Sequence, residues 1–158
     1  MTEVNPRLDL VIERFIRASP ETVWKAWTTP DLLEKWWVPH PSQCRVLALD
    51  ARAGGAFRTA FSESGGQYVP HLDACFLAAE PGQRLVFTNA LTGGFRPAAQ
   101  PFMTADVSFL PVEGGTAYRA LVMHKDQADR DRHVELGFYD GWSSVTEQLA
   151  ALIEPVVN

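Results

Sequence analysis

Between Leu8 and Ile16 the chain reads LDLVIERFI, in which Leu8, Leu10 and Ile12 alternate with Asp9, Val11 and Glu13. Alternation of this kind, rich in β-branched residues, predicts a strand. The pattern then changes at Ser19-Pro20-Glu21. A serine can cap the free N–H groups of a first helical turn, and proline suits the first helical position, where no N–H is needed. Val23, Trp24 and Trp27 follow at helical spacing and give the helix one apolar face. Thr29-Pro30-Asp31 repeats the start signal, so a second short helix is predicted through Leu32 and Leu33 to about Trp37, stopped by Pro39 and Pro41.

The middle of the chain reads as strands and turns. Cys44 to Asp50 is one strand, and Phe57, Thr59 and Phe61 alternate in a second, with Gly54-Gly55 and Gly65-Gly66 as turns. Tyr68 to Ala79 and Arg84 to Asn89 flank Pro81-Gly82 and form a predicted hairpin. Residues 91–101, with their glycines and prolines, are expected to be a long loop. Met103, Ala105, Val107 and Phe109 alternate again, and Gly114-Gly115 turns the chain into Thr116 to His124. After Lys125 the period becomes helical, with Asp126 as the cap. Val134, Phe138, Trp142, Val145, Leu149 and Leu152 form an apolar stripe that Gly137 and Gly141 interrupt, predicting a kink or break. A strand, two short helices, six strands and a long amphipathic helix make an α+β fold, with a curved antiparallel sheet wrapped around the C-terminal helix.

Several segments carry a resemblance to a known family. Ala18-Ser19-Pro20, Val23-Trp24-Lys25-Ala26-Trp27-Thr28, Pro30, Trp36-Trp37 and Pro39 resemble the N-terminal signature of the activator of heat-shock protein 90 ATPase homology family. Gly54-Gly55-Ala56-Phe57 is similar to its glycine-aromatic strand entry, and Pro81-Gly82-Gln83-Arg84-Leu85-Val86-Phe87 to its hairpin. His133, Leu136-Gly137-Phe138, Gly141-Trp142 and Gln148-Leu149 resemble its C-terminal helix motif. The matches run in order over about residues 8–155. The resemblance implies the START / Bet v-like helix-grip fold of the SRPBCC superfamily, as one domain over residues 1–158, with a cavity between sheet and long helix. It also implies three expectations of role: binding of an apolar or amphipathic small molecule, a cyclase- or hydratase-like activity, or a chaperone-associated interaction module. The eukaryotic co-chaperone that names the family has a further N-terminal domain, for which this chain has no room, so chaperone activation ranks as an alternative behind small-molecule binding.

The residues expected to line the cavity are Trp37, Phe57, Tyr118, His124, Glu135, Phe138, Tyr139 and Trp142. Tyr118, Ala120, Val122 and His124 share one strand face, whose apolar majority points inward. At the strand end His124 is either a cavity donor or general base, or a rim histidine bonded to a loop carbonyl. An enzymatic reading requires an acid–base pair such as His124 with Glu135 or Asp106. His71 and Asp73 share a strand face and can form such a pair, but alternation with Leu72, Ala74 and Phe76 sends them to the solvent side. Trp24, Trp27, Trp36 and Trp37 read as core or mouth packing more than as ligand platforms. Arg14, Arg58 and Arg119 can neutralise an anion if they face inward; the apolar neighbours of Arg58 and Arg119 favour an outward orientation.

Composition narrows the function classes. A chain of 158 residues with 46% hydrophobic residues builds its own core, and five Trp and nine Phe give that core large side chains. The net charge of -5, with Arg130 and Arg132 interleaved among Asp129 and Asp131, argues against a nucleic-acid surface. Met1 to Leu10 shows no secretory pattern, and no apolar run approaches the roughly 20 residues that span a bilayer. Cys44 and Cys75 fall in apolar segments and read as buried free thiols in a reducing cytoplasm. His71, Asp73 and His133 lack metal-ligand spacing, and no P-loop, dinucleotide fingerprint or nucleophile elbow occurs, so no metal or cofactor is expected. A hydrophobic small molecule is the expected partner, and a homodimer is compatible with the sequence.

Overall fold

The computed structural model describes residues 2–156. The elements run β1 (Asp9–Ile16), α1 (Pro20–Thr28), α2 (Pro30–Leu33), β2 (Gln43–Leu49), β3 (Ala56–Ser62), β4 (Val69–Glu80), β5 (Arg84–Thr88), β6 (Leu91–Thr92), β7 (Arg96–Pro97), β8 (Thr104–Val112), β9 (Gly115–Met123), α3 (Gln127–Glu135) and α4 (Phe138–Ile153). Seven strands form one sheet in the order β1-β9-β8-β5-β4-β3-β2, with every neighbouring pair antiparallel. The sheet closes on the C-terminal helix in the helix-grip α+β manner.

Local chemistry explains the helices. Ser19 Oγ accepts from the Thr22 N–H at 3.2 Å, Pro20 occupies the first turn, and α1 buries Val23, Ala26 and Trp27. The helix expected to reach Trp37 ends at Leu33. Trp36 and Trp37 are both buried, and adjacent residues of a helix cannot face the same side, so the chain leaves the helix to bury both rings. Their N–H groups still bond the Leu33 carbonyl, at 3.2 and 3.0 Å. The loop expected over residues 91–101 contains the β6–β7 hairpin, docked through the Gly94 N–H to the Gly54 carbonyl at 2.8 Å. Two-residue strands are too short to show a period.

The helical stripe breaks at Gly137, whose φ of 93° is left-handed. Gly141 instead lies within α4. Phe138, Val145 and Leu149 carry the stripe into the core. Polar ties fix α4 at both sides. Arg14 of β1 donates to both carboxylate oxygens of Glu147, at 2.7 and 3.0 Å. Gln148 donates to the carbonyls of Trp36 and Val38, at 3.1 and 2.8 Å, and accepts from the His40 N–H at 2.8 Å. The segment between α2 and β2 is thereby held against the helix. No helix among the described residues is long and apolar enough to cross a membrane.

Candidate functional site

Beneath α1 the space between sheet and helices is filled by aromatic rings. Trp27 is wholly buried, with ring centroids 5.0 Å from Trp36, 5.1 Å from Trp37 and 6.0 Å from Phe87. Phe57 stacks on Phe76 at 5.1 Å, and Phe109 on Tyr118 at 6.1 Å. Such packing leaves no room for a ligand at this end. Where α3 meets α4, however, a cleft of about 440 Å³ remains, open to solvent past the exposed Leu136. Its walls are Trp37 and Pro39 before β2, His71 and Leu72 of β4, Asn89 after β5, and Phe102 and Met103 before β8. The helical side supplies His133, Phe138, Trp142 and Val145. Among the described residues, no aspartate, glutamate, lysine or arginine lines it. A wider and more open hollow of about 790 Å³ lies between Lys35, His40, Tyr68 and Leu152.

Trp37, Phe138 and Trp142 therefore stand in the cleft, whereas the other five expected lining residues do not. Phe57 is inward but covered by Trp37 and Phe76. Tyr118 is inward but beneath α1, and burial raises its phenol above the ordinary range. The Trp27 indole N–H is near enough to the Tyr118 oxygen to oppose that rise, but it does not reach hydrogen-bond geometry. Glu135 and Tyr139 are exposed. Each lies beside the left-handed Gly137, across which the phase of one helix does not carry into the next. Nor are the named acid–base pairs assembled. Asp106 lies on the opposite face of the sheet, where Arg84 donates to both its oxygens at 3.0 and 2.9 Å and Thr2 donates at 2.7 Å.

His71 is a correction. Alternation places it with Asp73 on the solvent side, and Asp73 does lie there, 3.8 Å from Arg58. Between Thr59 and Ala60, however, the β3–β4 register slips, and His71 is the extra residue. A bulge re-aims such a side chain. His71 turns inward, its Nδ1 3.0 Å from Thr59 Oγ1 and its ring against Phe61 and Trp37. One edge stays exposed at the mouth, while burial of the ring lowers its pKa below that of ordinary imidazole.

His124 is buried and does not reach the cleft directly. Its Nδ1 lies 2.8 Å from the Leu8 carbonyl, as in the rim-histidine reading, and its Nε2 lies 2.8 Å from His133 Nδ1. Burial first, and then the charge of His124, lower the His133 pKa to about 4. Asn89 is a further polar wall residue, beside His71 and His133. Its Oδ1 accepts the N–H groups of Phe102 and Met103 at 2.8 and 2.9 Å. Sequence reasoning missed both roles. His133 lies off the apolar stripe, and Asn89 carries no spacing signal. Both cysteines are buried, and burial, with Glu34 adding to it, pushes the Cys44 thiol up to about 12.

The chain matches the model of the activator of Hsp90 ATPase homolog 1-like protein family over residues 17–154. No protein of curated function matches it. Among solved structures it is similar to a Nitrosomonas europaea protein, with 36% identity, a TM-score of 0.88, and coverage of 96% of this chain and 97% of that one. A Chromobacterium violaceum protein has 27% identity and a TM-score of 0.72, covering 94% and 99%. An AHSA1-like protein from Aeromonas hydrophila, at 20% identity, has a TM-score of 0.64 and coverage of 91% and 90%; it shares the fold. The sequence segments, the sheet closed on its C-terminal helix and the match over residues 17–154 agree: the chain belongs to the activator of Hsp90 ATPase homolog 1-like family, within the START / Bet v-like superfamily.

Proposed function

We propose that the protein binds an apolar or amphipathic small molecule in the cleft between the sheet and the α3–α4 junction. The observation that carries this reading is the wall itself. A space of about 440 Å³ is bounded by Trp37, Phe102, Phe138 and Trp142, holds no charged side chain, and admits a few oriented polar groups. Ligand sites of roughly 300–1,000 Å³ commonly combine such features. Aromatic walls left open to water lose favourable burial, and an apolar guest restores it at about 25 cal/mol per Å² of apolar surface covered.

Native mass spectrometry of the purified protein, with a thermal-shift panel of lipids and polyketide-like compounds, tests the reading. A ligand present at about 100 times its Kd is expected to raise Tm by about 5 °C or more. It should also change the tryptophan emission, because Trp37 and Trp142 form the wall. Replacing Trp142 by alanine should weaken the same ligand. If no compound of the panel shifts Tm and no co-purified mass is found, the reading is wrong.

A further inference from the structure

The hydrogen-bond chain at the rear of the cleft has only one direction in its neutral state. The Leu8 carbonyl can only accept, so His124 Nδ1 must carry a proton. A neutral His124 then presents a lone pair at Nε2, and His133 must donate its Nδ1–H to it across 2.8 Å. That fixes the remaining nitrogen of His133. Nε2 is left as a bare acceptor on a ring that lines the cleft, with no hydrogen-bond partner among the described residues. Phe102 and Phe138 hold the ring on its sides, each with a centroid distance of 5.0 Å.

Asn89 is oriented by the same kind of argument. Two backbone N–H groups can bond only its oxygen, so Oδ1 faces Phe102 and Met103, and the amide NH2 of this lining residue is left as a donor without a partner among the described residues. Asn89 and His133 both flank Phe102, one at its backbone and the other at its ring. Beside the indole N–H of Trp37 and the imidazole of His71, the described lining thus offers one oriented acceptor in His133 and one oriented donor in Asn89, and no acidic or basic side chain of Asp, Glu, Lys or Arg. Arg132 lies 5.8 Å from the Phe102 ring centroid but is exposed and outside the lining. A carboxylate or ammonium ligand would lose hydration there without a counter-charge.

Building on the ligand-binding reading above, we propose that the cleft selects an uncharged, hydroxylated apolar molecule, a phenol or alcohol, whose O–H donates to His133 Nε2 and whose oxygen accepts from the Asn89 amide. The low His133 pKa supports this by keeping the imidazole neutral near pH 7.

Three probes of similar shape separate the possibilities: 2-naphthol, 2-methoxynaphthalene and 2-naphthoate, titrated at pH 7.5 by tryptophan fluorescence. The naphthol should bind wild type about tenfold tighter than the ether, the effect of one net hydrogen bond, with the carboxylate weakest. In His133→Phe the naphthol–ether ratio should fall to about one while the ether still binds. The 15N resonance of His133 Nε2 in wild type should shift with the naphthol and stay put with the ether, a readout that needs no variant. Equal binding of naphthol and ether, preference for the carboxylate, or a naphthol preference that survives in His133→Phe overturns this proposal while leaving the binding reading standing. Failure of all three probes to bind overturns both.

Discussion

His133 Nδ1 stands 2.8 Å from His124 Nε2, and the Leu8 carbonyl behind them decides which ring donates. The pair joins the end of β9 to α3, so its protonation bears on stability as well as on the cleft. In the unfolded chain His133 titrates near pH 6.5. In the fold its pKa falls to about 4, by burial and then by the charge of His124. Between these values the unfolded state binds the proton that the folded state refuses, so stability rises with pH there and is lost as pH falls from about 6.5 towards 4. Tm should drop by a few degrees over that window, and His133→Phe should flatten the drop. A slope unchanged by that substitution would place the loss elsewhere.

Asp106 acts in a lower window. Burial works to raise its pKa, but hydrogen bonds from Arg84 and Thr2, with the charges of Arg84 and Arg119, carry it below the ordinary carboxylate value. With a depressed folded pKa, its contribution is present above the unfolded value near 4 and is lost as pH falls through the folded one. Asp106→Asn is expected to cost about 1–2 kcal/mol at pH 7, because Arg84 loses its two-pronged partner and keeps only the longer 3.4 Å contact with Glu80. The cost should shrink as the carboxyl becomes protonated in acid. Urea melts at pH 7 and pH 2.5 compare the two.

Much of the fold was legible because each major element has a period and a stop. Met103 to Phe109 alternates and forms β8, Ser19-Pro20 begins α1, and Gly137 breaks the helical stripe. The site was far less legible. A bulge at Thr59/Ala60 shifts one register by one residue, which alternation along a single strand cannot register, and it brings His71 inward. Trp37, Phe138 and Trp142 reach the cleft as aromatic members of recognisable motifs, but His133 gains its meaning from His124 and Leu8. That meaning is three-dimensional: Leu8 and His124 lie 116 residues apart and meet only because β1 pairs with β9.

The Gln148 side chain should tolerate little change. Its amide N–H groups face two carbonyls, those of Trp36 and Val38, while its oxygen takes the His40 N–H. Gln148→Leu removes three hydrogen bonds and is expected to cost about 2 kcal/mol. Gln148→Glu keeps the shape but turns a carboxylate oxygen towards two carbonyls, so it should cost more, about 3 kcal/mol at pH 7. Chemical denaturation ranks the two. A glutamate variant as stable as wild type would show that these bonds do not hold the segment to α4.

Two glycines should respond to alanine with opposite signs. At Gly55 an added Cβ would stand 1.8 Å from the Asp50 carbonyl oxygen and 3.0 Å from that of Arg52, so backbone must move. The same turn is tied to β4, with the Phe76 N–H on the Gly55 carbonyl at 2.9 Å and the Gly54 N–H on the Phe76 carbonyl at 2.8 Å. Gly55→Ala is therefore expected to cost about 3 kcal/mol and to lower Tm by about 10 °C. At Gly141, inside α4, an added Cβ meets nothing within 4 Å. Alanine there exchanges the poorer helix former for the better one and reduces the freedom of the unfolded chain, which should add about 0.5–1 kcal/mol. Calorimetry of the two variants gives the answer directly. If Gly141→Ala destabilises as Gly55→Ala does, the space beside α4 is smaller than the cleft geometry requires.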